Sequence, residues 1–327
     1  MLITHKEALP EKPLGGQVPT GKTPRERAVY RAFQGLYRLY VRRADSRRWN
    51  ADSDFDWKSI RKDLSPEVQC ILRGFFAVEQ FVPDYTGCLA DLFRPNYGRS
   101  QYQLQWGVEE ARHADVWRNA LRSSTAMSLC EIEDYSMALR QQRWSPPWDG
   151  PIEMLFYAVF QERATQLTYL DMAGLFKSST YGTGDGDPVL YKAAMAVAVD
   201  EAAHYRFFLE GARLYLYYFP EESLEALQHV INCFEMPAME LIDDYAYFKA
   251  ALIRRKLYSR AKYSKQVIAH SLRNLGIGHV RLLRDWKDSG AGVTTVVSAN
   301  EHHVRSIFAK IKQYESDMGF PDHHSES

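Results

Sequence analysis

Along most of this chain, apolar side chains return every three or four positions with polar ones between them, the period of helices that bury one face. The pattern predicts helices over roughly 24–44, 65–94, 99–124, 130–142, 151–177, 187–217, 221–250, 251–273, 275–288 and 293–317. Alternating stretches that would suit strands are hard to find, and Val-Ile-Thr runs are rare outside Val293–Val297. An all-α fold is expected. Thr23-Pro24-Arg25-Glu26 joins a capping hydroxyl, a proline at the first helical position and a glutamate able to close a capping box. Ser65-Pro66, Gly150-Pro151 and Asp187-Pro188 mark further starts in the same way. Residues 1–22, with Pro10, Pro13 and Pro19, read as a loosely ordered arm, 23–318 as one domain and 319–327 as a flexible tail. Lys177–Pro188 is glycine-rich but follows no strand, so it reads as a flexible connection and not a phosphate cradle.

Composition changes this picture only in places. With 327 residues, 46% of them apolar and 25% charged, the chain can bury a substantial core. Its 20 Tyr, 16 Phe and 7 Trp suit a deep, shaped interior. No apolar run approaches the roughly 18 residues of a membrane span, and the N-terminus lacks the apolar stretch of a secretory signal. Cys70, Cys88, Cys130 and Cys233 form no CxxC pair and read as reduced, mostly buried thiols of a cytoplasmic protein. Formal charge balances, 41 basic against 41 acidic residues, but unevenly. Between Asp244 and Asp285 the only charged residues are basic, from Lys249 through Arg254, Arg255, Lys256, Arg260, Lys262, Lys265, Arg273 and Arg281 to Arg284. A second basic stretch runs from Lys22 to Arg48. Such stretches are either solvated helix faces or docking surfaces for an acidic partner. No nucleic-acid module accompanies them, so nucleic acid is not expected.

The predicted helices 65–94, 99–124, 151–177 and 187–217 are long enough to cross a domain, about 40 Å at 1.5 Å per residue. They form two pairs that repeat one pattern. The first pair carries Glu79 and then Glu110-Ala111-Arg112-His113; the second carries Glu162 and then Glu201-Ala202-Ala203-His204. Residues three apart share a helix face, so Glu110 with His113, and Glu201 with His204, can each grip one metal ion. Glu79 and Glu162 could terminate or bridge the ions. Four carboxylates with two imidazoles suit two ferrous or manganous ions, and four negative charges offset two divalent cations. This is the ligand set of ferritin-like di-iron bundles. Both lone glutamates follow apolar or aromatic residues, Phe75-Phe76-Ala77-Val78 and Ala158-Val159-Phe160, where an unpaired carboxylate would be costly. Pro83 should distort the first helix at Glu79, because its ring clashes with the carbonyl four residues back.

Phe160-Gln161-Glu162-Arg163-Ala164-Thr165 resembles a segment of the soluble acyl-[acyl-carrier-protein] desaturases. Glu109-Glu110-Ala111-Arg112-His113 and Asp200-Glu201-Ala202-Ala203-His204 are similar to that family's EENRH and DEKRH, as are Glu79 with Pro83 and Tyr85, and Met236-Pro237-Ala238, to its other segments. The resemblance covers about 45–290 and implies a ferritin-like four-helix bundle enlarged by additional helices. It further implies two Fe per chain, held by Glu79, Glu110, His113, Glu162, Glu201 and His204, and oxygen-dependent desaturation of a fatty acyl chain on acyl carrier protein. A ferredoxin-type electron donor and a homodimer are implied with it. Thr165 would face the dioxygen pocket, and Trp49 would link with His113 and Asp200. The aromatic residues Phe75, Phe76, Trp106, Phe160 and Phe207 are candidates to line an acyl channel or to serve as plain core. Trp117 stands where a ribonucleotide reductase radical subunit would carry its tyrosine, and an iron-storage bundle would be shorter. A di-iron oxygenase or N-oxygenase tailoring a carrier- or CoA-bound metabolite keeps the same six ligands and is the alternative.

Overall fold

Helix α1 (Pro24–Ser46) begins on the predicted capping box: the Thr23 hydroxyl accepts from the Glu26 N–H, and the Glu26 carboxylate accepts from the Thr23 N–H. The description comes from a computed structural model that covers residues 23–177, 184–278 and 291–320, together with Leu283 and Trp286. The expected N-terminal arm, most of the C-terminal tail, the middle of the glycine-rich connection and most of the expected 275–288 helix lie outside the described residues. Among the described residues all regular structure is helical, and no helix is long and apolar enough to cross a membrane.

The predicted helix over 65–94 is two helices. α2 (Pro66–Val78) ends at a 3₁₀ turn, Glu79–Phe81, and α3 (Val82–Leu92) begins with Pro83 in its first turn. Proline supplies no N–H to the Glu79 carbonyl, which instead receives the Val82 N–H one residue earlier. The distortion read from Pro83 therefore falls at Glu79. α4 (Tyr97–Ser123), α5 (Leu129–Leu139), α6 (Pro151–Phe176) and α7 (Pro188–Tyr218) follow close to their expected bounds. Asp187 caps α7 by accepting from the N–H groups of Val189 and Leu190, both at 2.8 Å, and also accepts from the Arg61 N–H at 2.8 Å. The described end of the glycine-rich connection thus anchors a helix.

The expected helix over 221–250 also divides, into α8 (Pro220–Cys233) and α9 (Tyr245–Arg254). Pro237 biases its neighbour towards extended backbone, and Ala238 lies in the left-handed region at φ 56°. The chain leaves α9 at Lys256, also left-handed at φ 60°, which breaks the expected 251–273 helix. It re-enters a helical segment α10 (residues 260–274) that is wound as a π-helix over Tyr263–Ile268. A long helix, α11 (Ala291–Asp317), closes the fold against α7, α1 and α8.

α6 lies along α7, α4 lies along α2 and α3, and α4 meets α7, so the two predicted pairs face one another. Their buried apolar residues form two separate clusters. One holds Trp106 of α4, Phe160 of α6 and Phe207 of α7; the other holds Trp117, Tyr169 and Val197 of the same three helices. Between them, at one level of the bundle, lie the buried Glu79, Glu110, His113, Glu162, Glu201 and His204. Cys70 is buried and Cys88 half-buried, but Cys130 and Cys233 are exposed, so the thiols are less buried than their apolar character suggested.

Close approach of α1 and α4 depends on Gly98, where a Cβ would overlap the backbone of Phe33. Backbone cannot swing aside as a side-chain tip can. Gly98→Ala should cost roughly 1–3 kcal/mol, as overpacking usually does. Gly174→Ala on α6, with nothing near its Cβ position, should instead gain roughly 0.5–1 kcal/mol. Denaturant titration of the two variants beside wild type checks the pair, and equal stabilities would contradict the packing described.

Candidate metal centre

His113 and His204 are completely buried and present the same nitrogen to the same place. His113 Nδ1 lies 3.0 Å from Glu110 Oε2 and 3.7 Å from Glu201 Oε1. His204 Nδ1 lies 3.0 Å from Glu110 Oε1, 3.5 Å from Glu201 Oε2 and 3.4 Å from Glu162 Oε2. Each oxygen of Glu110, and each oxygen of Glu201, therefore faces a different imidazole. The spacing on the helices suggested one ion per Glu-x-x-His pair; the geometry instead sets both of these glutamates across the gap between the histidines. Glu79 groups with Glu110 and His113, and Glu162 with Glu110, Glu201 and His204, each set within 4.8 Å.

The far nitrogens of the imidazoles meet carboxylates from the opposite helix. His204 Nε2 is 2.9 Å from Glu109 Oε2, and His113 Nε2 is 3.5 Å from Asp200 Oδ2. The residue before each Glu-x-x-His pair thus backs the other pair's histidine. A carboxylate behind an imidazole fixes its ring and keeps the proton on the far nitrogen, leaving Nδ1 free. The Trp49 indole N–H donates to Asp200 Oδ2 at 2.9 Å, and its ring lies parallel to that of His113, 9° apart in plane. Trp49, Asp200 and His113 are therefore brought together.

Three features of this surround were not foreseen. Glu109 holds His204, accepts from Tyr40 at 2.5 Å and from Gln105 at 2.8 Å. Arg47 reaches both outer carboxylates: Nη2 is 3.7 Å from Glu109, Nε is 3.5 Å from Asp200, and Nη2 donates to Tyr40 at 3.0 Å. Each lone glutamate receives a hydrogen bond from an aromatic donor, Glu79 from the Tyr169 hydroxyl at 3.2 Å and Glu162 from the Trp106 indole at 3.1 Å. Trp106 thus belongs to the centre rather than to a channel wall, whereas Phe76, Phe160 and Phe207 are core.

Thr165 does not turn towards this cluster. Its hydroxyl donates to the carbonyls of Gln161 and Glu162, both at 3.1 Å, satisfying itself on its own helix. With Phe75, Ala164, Thr168, Met236 and Phe248 it lines an apolar cavity beside α6, which the π-helical segment walls with Tyr263 and Val267.

Charge explains why the cluster calls for cations. Burial, reinforced by neighbouring carboxylates, pushes Glu79 and Glu162 well above the ordinary 4.5. Burial acts the same way on Glu110, but His113 and His204 overcome it and hold that carboxyl at about 2. Burial opposes charge on the two imidazoles, yet the acidic groups around them hold both well above the ordinary 6.5. Glu162 Oε2, Glu201 Oε2 and His204 Nδ1 are buried, face the middle of the cluster and, among the described residues, meet no partner in hydrogen-bonding geometry. Two divalent cations would occupy those unmatched donors and balance the carboxylates. Hard oxygen with imidazole nitrogen fits iron or manganese.

The basic 249–284 stretch is partly consumed inside the fold. Arg254 and Arg255 both bind Glu67, at 2.5 and 2.6 Å, Arg255 also binds Asp185 at 2.9 Å, and Lys262 pairs with Asp171. Lys256, Arg260, Lys265 and Arg273 are exposed and have no such partners among the described residues, and Arg281 and Arg284 lie outside those residues.

The fatty acid desaturase family model matches residues 40–319, further than the resemblance read from motifs. Stearoyl-[acyl-carrier-protein] 9-desaturase 6 of Arabidopsis thaliana is 26% identical over 62% of this chain and 54% of its own length. Palmitoyl-[acyl-carrier-protein] 4-desaturase 2 of Ophrys arachnitiformis subsp. archipelagi is 24% identical over 63% of this chain and 56% of its own. Both are named as chloroplastic, and the chain spans about half the length of these curated relatives. The X-ray structure of DesA2 from Mycobacterium tuberculosis, named as an acyl-ACP desaturase, shares the fold with a TM-score of 0.54 at 16% identity, over 79% of this chain and 99% of that one.

The charge balance predicts a pH dependence for the metal-free protein. Glu79 and Glu162 have raised values, so the unfolded chain ionises them first and the folded state is penalised as pH rises above 4.5. The stabilisation from charged His113 and His204 is present below 6.5 and lost as pH climbs through their raised values. Glu109 and Glu110 act oppositely, but only on acidification towards about 2. The melting temperature after chelation should therefore fall between about pH 5 and pH 9. Glu162→Gln should raise it at the alkaline end, the folded state gaining about 1.4 kcal/mol per pKa unit relieved. A flat profile, or one that rises, would contradict this balance.

Proposed function

Because the chain belongs to the fatty acid desaturase family, we propose that it converts a saturated fatty acyl chain, held on acyl carrier protein, to its unsaturated form at a pair of irons bound by the buried cluster. The observation that carries this reading is the placement of Glu110 and Glu201, each with one oxygen towards each imidazole. Glu110 and Glu201 would bridge the irons, Glu79 with His113 would complete one, and Glu162 with His204 the other. Iron held there would supply, with dioxygen and electrons from outside, the oxidising power needed to break two unactivated C–H bonds.

The chain's own residues supply position and insulation. Asp200 and Glu109 hold the imidazoles so that Nδ1 faces inward, and Tyr169 and Trp106 steady the two terminal carboxylates. Apolar clusters on either side keep bulk water from the centre. The cavity behind Thr165 is apolar enough for an acyl chain, and Thr165 would serve as wall, since its hydroxyl is spent on helix carbonyls. Trp49, half-buried and bonded to Asp200, would admit electrons from a ferredoxin-type donor towards His113. A homodimer is part of the same reading.

Iron analysis tests the ligand set. Wild type should hold about two irons per chain; Glu110→Ala should lose both, and Glu79→Ala mainly the one beside His113. Equal loss in the two variants would contradict the bridging role. With reductant, ferredoxin and a saturated acyl carrier substrate, mass spectrometry should find an alkene; a product that is only hydroxylated or N-oxygenated would overturn desaturation and leave the metal site standing.

The carrier would dock on the free cations. Changing Lys256, Arg260 and Lys265 to Glu should slow association with the carrier and weaken its salt dependence at unchanged iron content. Arg255→Glu should instead lower stability, because it takes the guanidinium from buried Asp185, leaves Glu67 with Arg254 alone and sets a third carboxylate beside them. Carrier kinetics indifferent to the first set would exclude this face.

A further inference from the structure

The apolar cavity beside α6 has one polar group in its wall that the fold leaves over. Its other hydroxyls and its one charge are accounted for. Thr165 and Thr168 donate to carbonyls of their own helix. Ser259 accepts from the Lys262 N–H at 3.1 Å, and Lys262 pairs with Asp171. Tyr258 is exposed and meets water. Tyr263 differs: it walls the cavity and its hydroxyl is buried, yet among the described residues that hydroxyl meets no partner in hydrogen-bonding geometry. Phenylalanine would fill the same space without burying an unmatched O–H, so the hydroxyl calls for an acceptor that enters from outside. Tyr102 also has an unmatched hydroxyl, but with no exposed surface it is sealed in the core.

The two sides of the cavity show which acceptor that is. Phe75, Ala164 and Phe248 are buried, and Ala164 and Thr165 follow Glu162 on α6, so this side adjoins the metal-binding layer. Tyr258 and Ser259 are exposed and Lys262 half-buried, so they form the outer rim. They alternate along the chain with the exposed Lys256, Arg260 and Lys265, on which the carrier would rest. Tyr263 follows Lys262 directly, as the first residue of the π-helical turn, with its ring 5.6 Å from that of Phe234. An acyl chain whose carrier lies on those cations enters by this rim, methyl end first. The oxygen it keeps at the rim is its thioester carbonyl; the rest of a saturated chain offers only C–H.

We propose that the Tyr263 hydroxyl donates a hydrogen bond to the thioester carbonyl of the bound acyl group and so sets the register of the chain in the cavity. The double bond is then counted from the thioester end, because the carbons brought to the metal layer are fixed by their distance from this anchor and not by where the methyl end stops. No bond forms or breaks at Tyr263. The inference rests on the desaturase reading above.

The test compares two ligands on the same carrier protein: a saturated acyl thioester and the matching alkyl thioether, which lacks only the carbonyl oxygen. Equilibrium binding is measured on the iron-loaded full chain without reductant, so that nothing turns over. Wild type should hold the thioester about five- to tenfold more tightly, the worth of one neutral hydrogen bond. Tyr263→Phe should bind both ligands alike, at the wild-type affinity for the thioether, which also shows that the variant is folded. With reductant and oxygen supplied, mass spectrometry of products from two chain lengths should place the wild-type double bond at one distance from the thioester, and Tyr263→Phe should give a spread of positions. Wild type that binds the two ligands alike, a preference that survives in Tyr263→Phe, or a double bond at constant distance from the methyl end overturns the inference and leaves desaturation standing. If Tyr263→Phe binds neither ligand, the wild-type preference and the two chain lengths decide without it. Wild type that binds the thioester but forms no alkene overturns the desaturase reading instead.

Discussion

Burying four carboxylates and two imidazoles at one level of a helical bundle is the constraint on which the rest of this structure depends. Desolvating that much charge costs more than any other feature of the core, and it is tolerable only when each group is matched. Within the chain the matching is incomplete. Glu110 is held ionised by two imidazoles, while Glu79 and Glu162 are pushed towards the neutral form. The shell around the six residues is built to hold unmatched donors in place, with Asp200, Glu109, Tyr169 and Trp106 each fixing one of them. Two apolar clusters then seal the layer from both ends.

The two halves of the bundle are related by function more than by sequence. Each contributes a lone glutamate with an aromatic donor, a Glu-x-x-His pair, and an acid that reaches across to the other half's histidine. The crossing makes the halves interdependent, because the far nitrogen of each imidazole is backed by an acid on the other half's helix. Arg47 adds a common clamp on the two outer acids. Symmetry fails at Pro83, which breaks the first helix at Glu79 and not its counterpart at Glu162. A ligand at a 3₁₀ turn has weaker backbone support than one in mid-helix, so the Glu79 side is the more adjustable half.

Much of this was legible because helices announce themselves locally. Proline behind a capping residue marked α1, α2, α6 and α7 to within a residue or two. Glu110, His113, Glu201 and His204 were legible because i,i+3 spacing is a local property of one helix, and Glu79 and Glu162 because each stands alone after an apolar run. What escaped depends on contacts between helices. Glu109 stood in its motif without a role, since nothing local shows that it reaches His204; the acid before each Glu-x-x-His was the available signal. Tyr169 shares a face with Glu162 seven residues earlier, yet its partner is Glu79 on another helix. Thr165 carried the opposite error: helix spacing placed it one turn from a ligand, but its hydroxyl found nearer acceptors in its own backbone. Charge counting likewise could not show that Glu67 absorbs both Arg254 and Arg255 from a helix far along the chain.

The central claim is that Glu110 and Glu201 hold two metals together, not that the chain merely binds metal. Magnetic coupling reports this directly, because ferric ions that share carboxylate bridges pair their spins and isolated ions do not. EPR and Mössbauer spectroscopy of the iron-loaded, air-oxidised protein should therefore find most of the iron EPR-silent, as a coupled diamagnetic pair. A dominant EPR signal from mononuclear high-spin ferric iron, at full loading, would contradict the account.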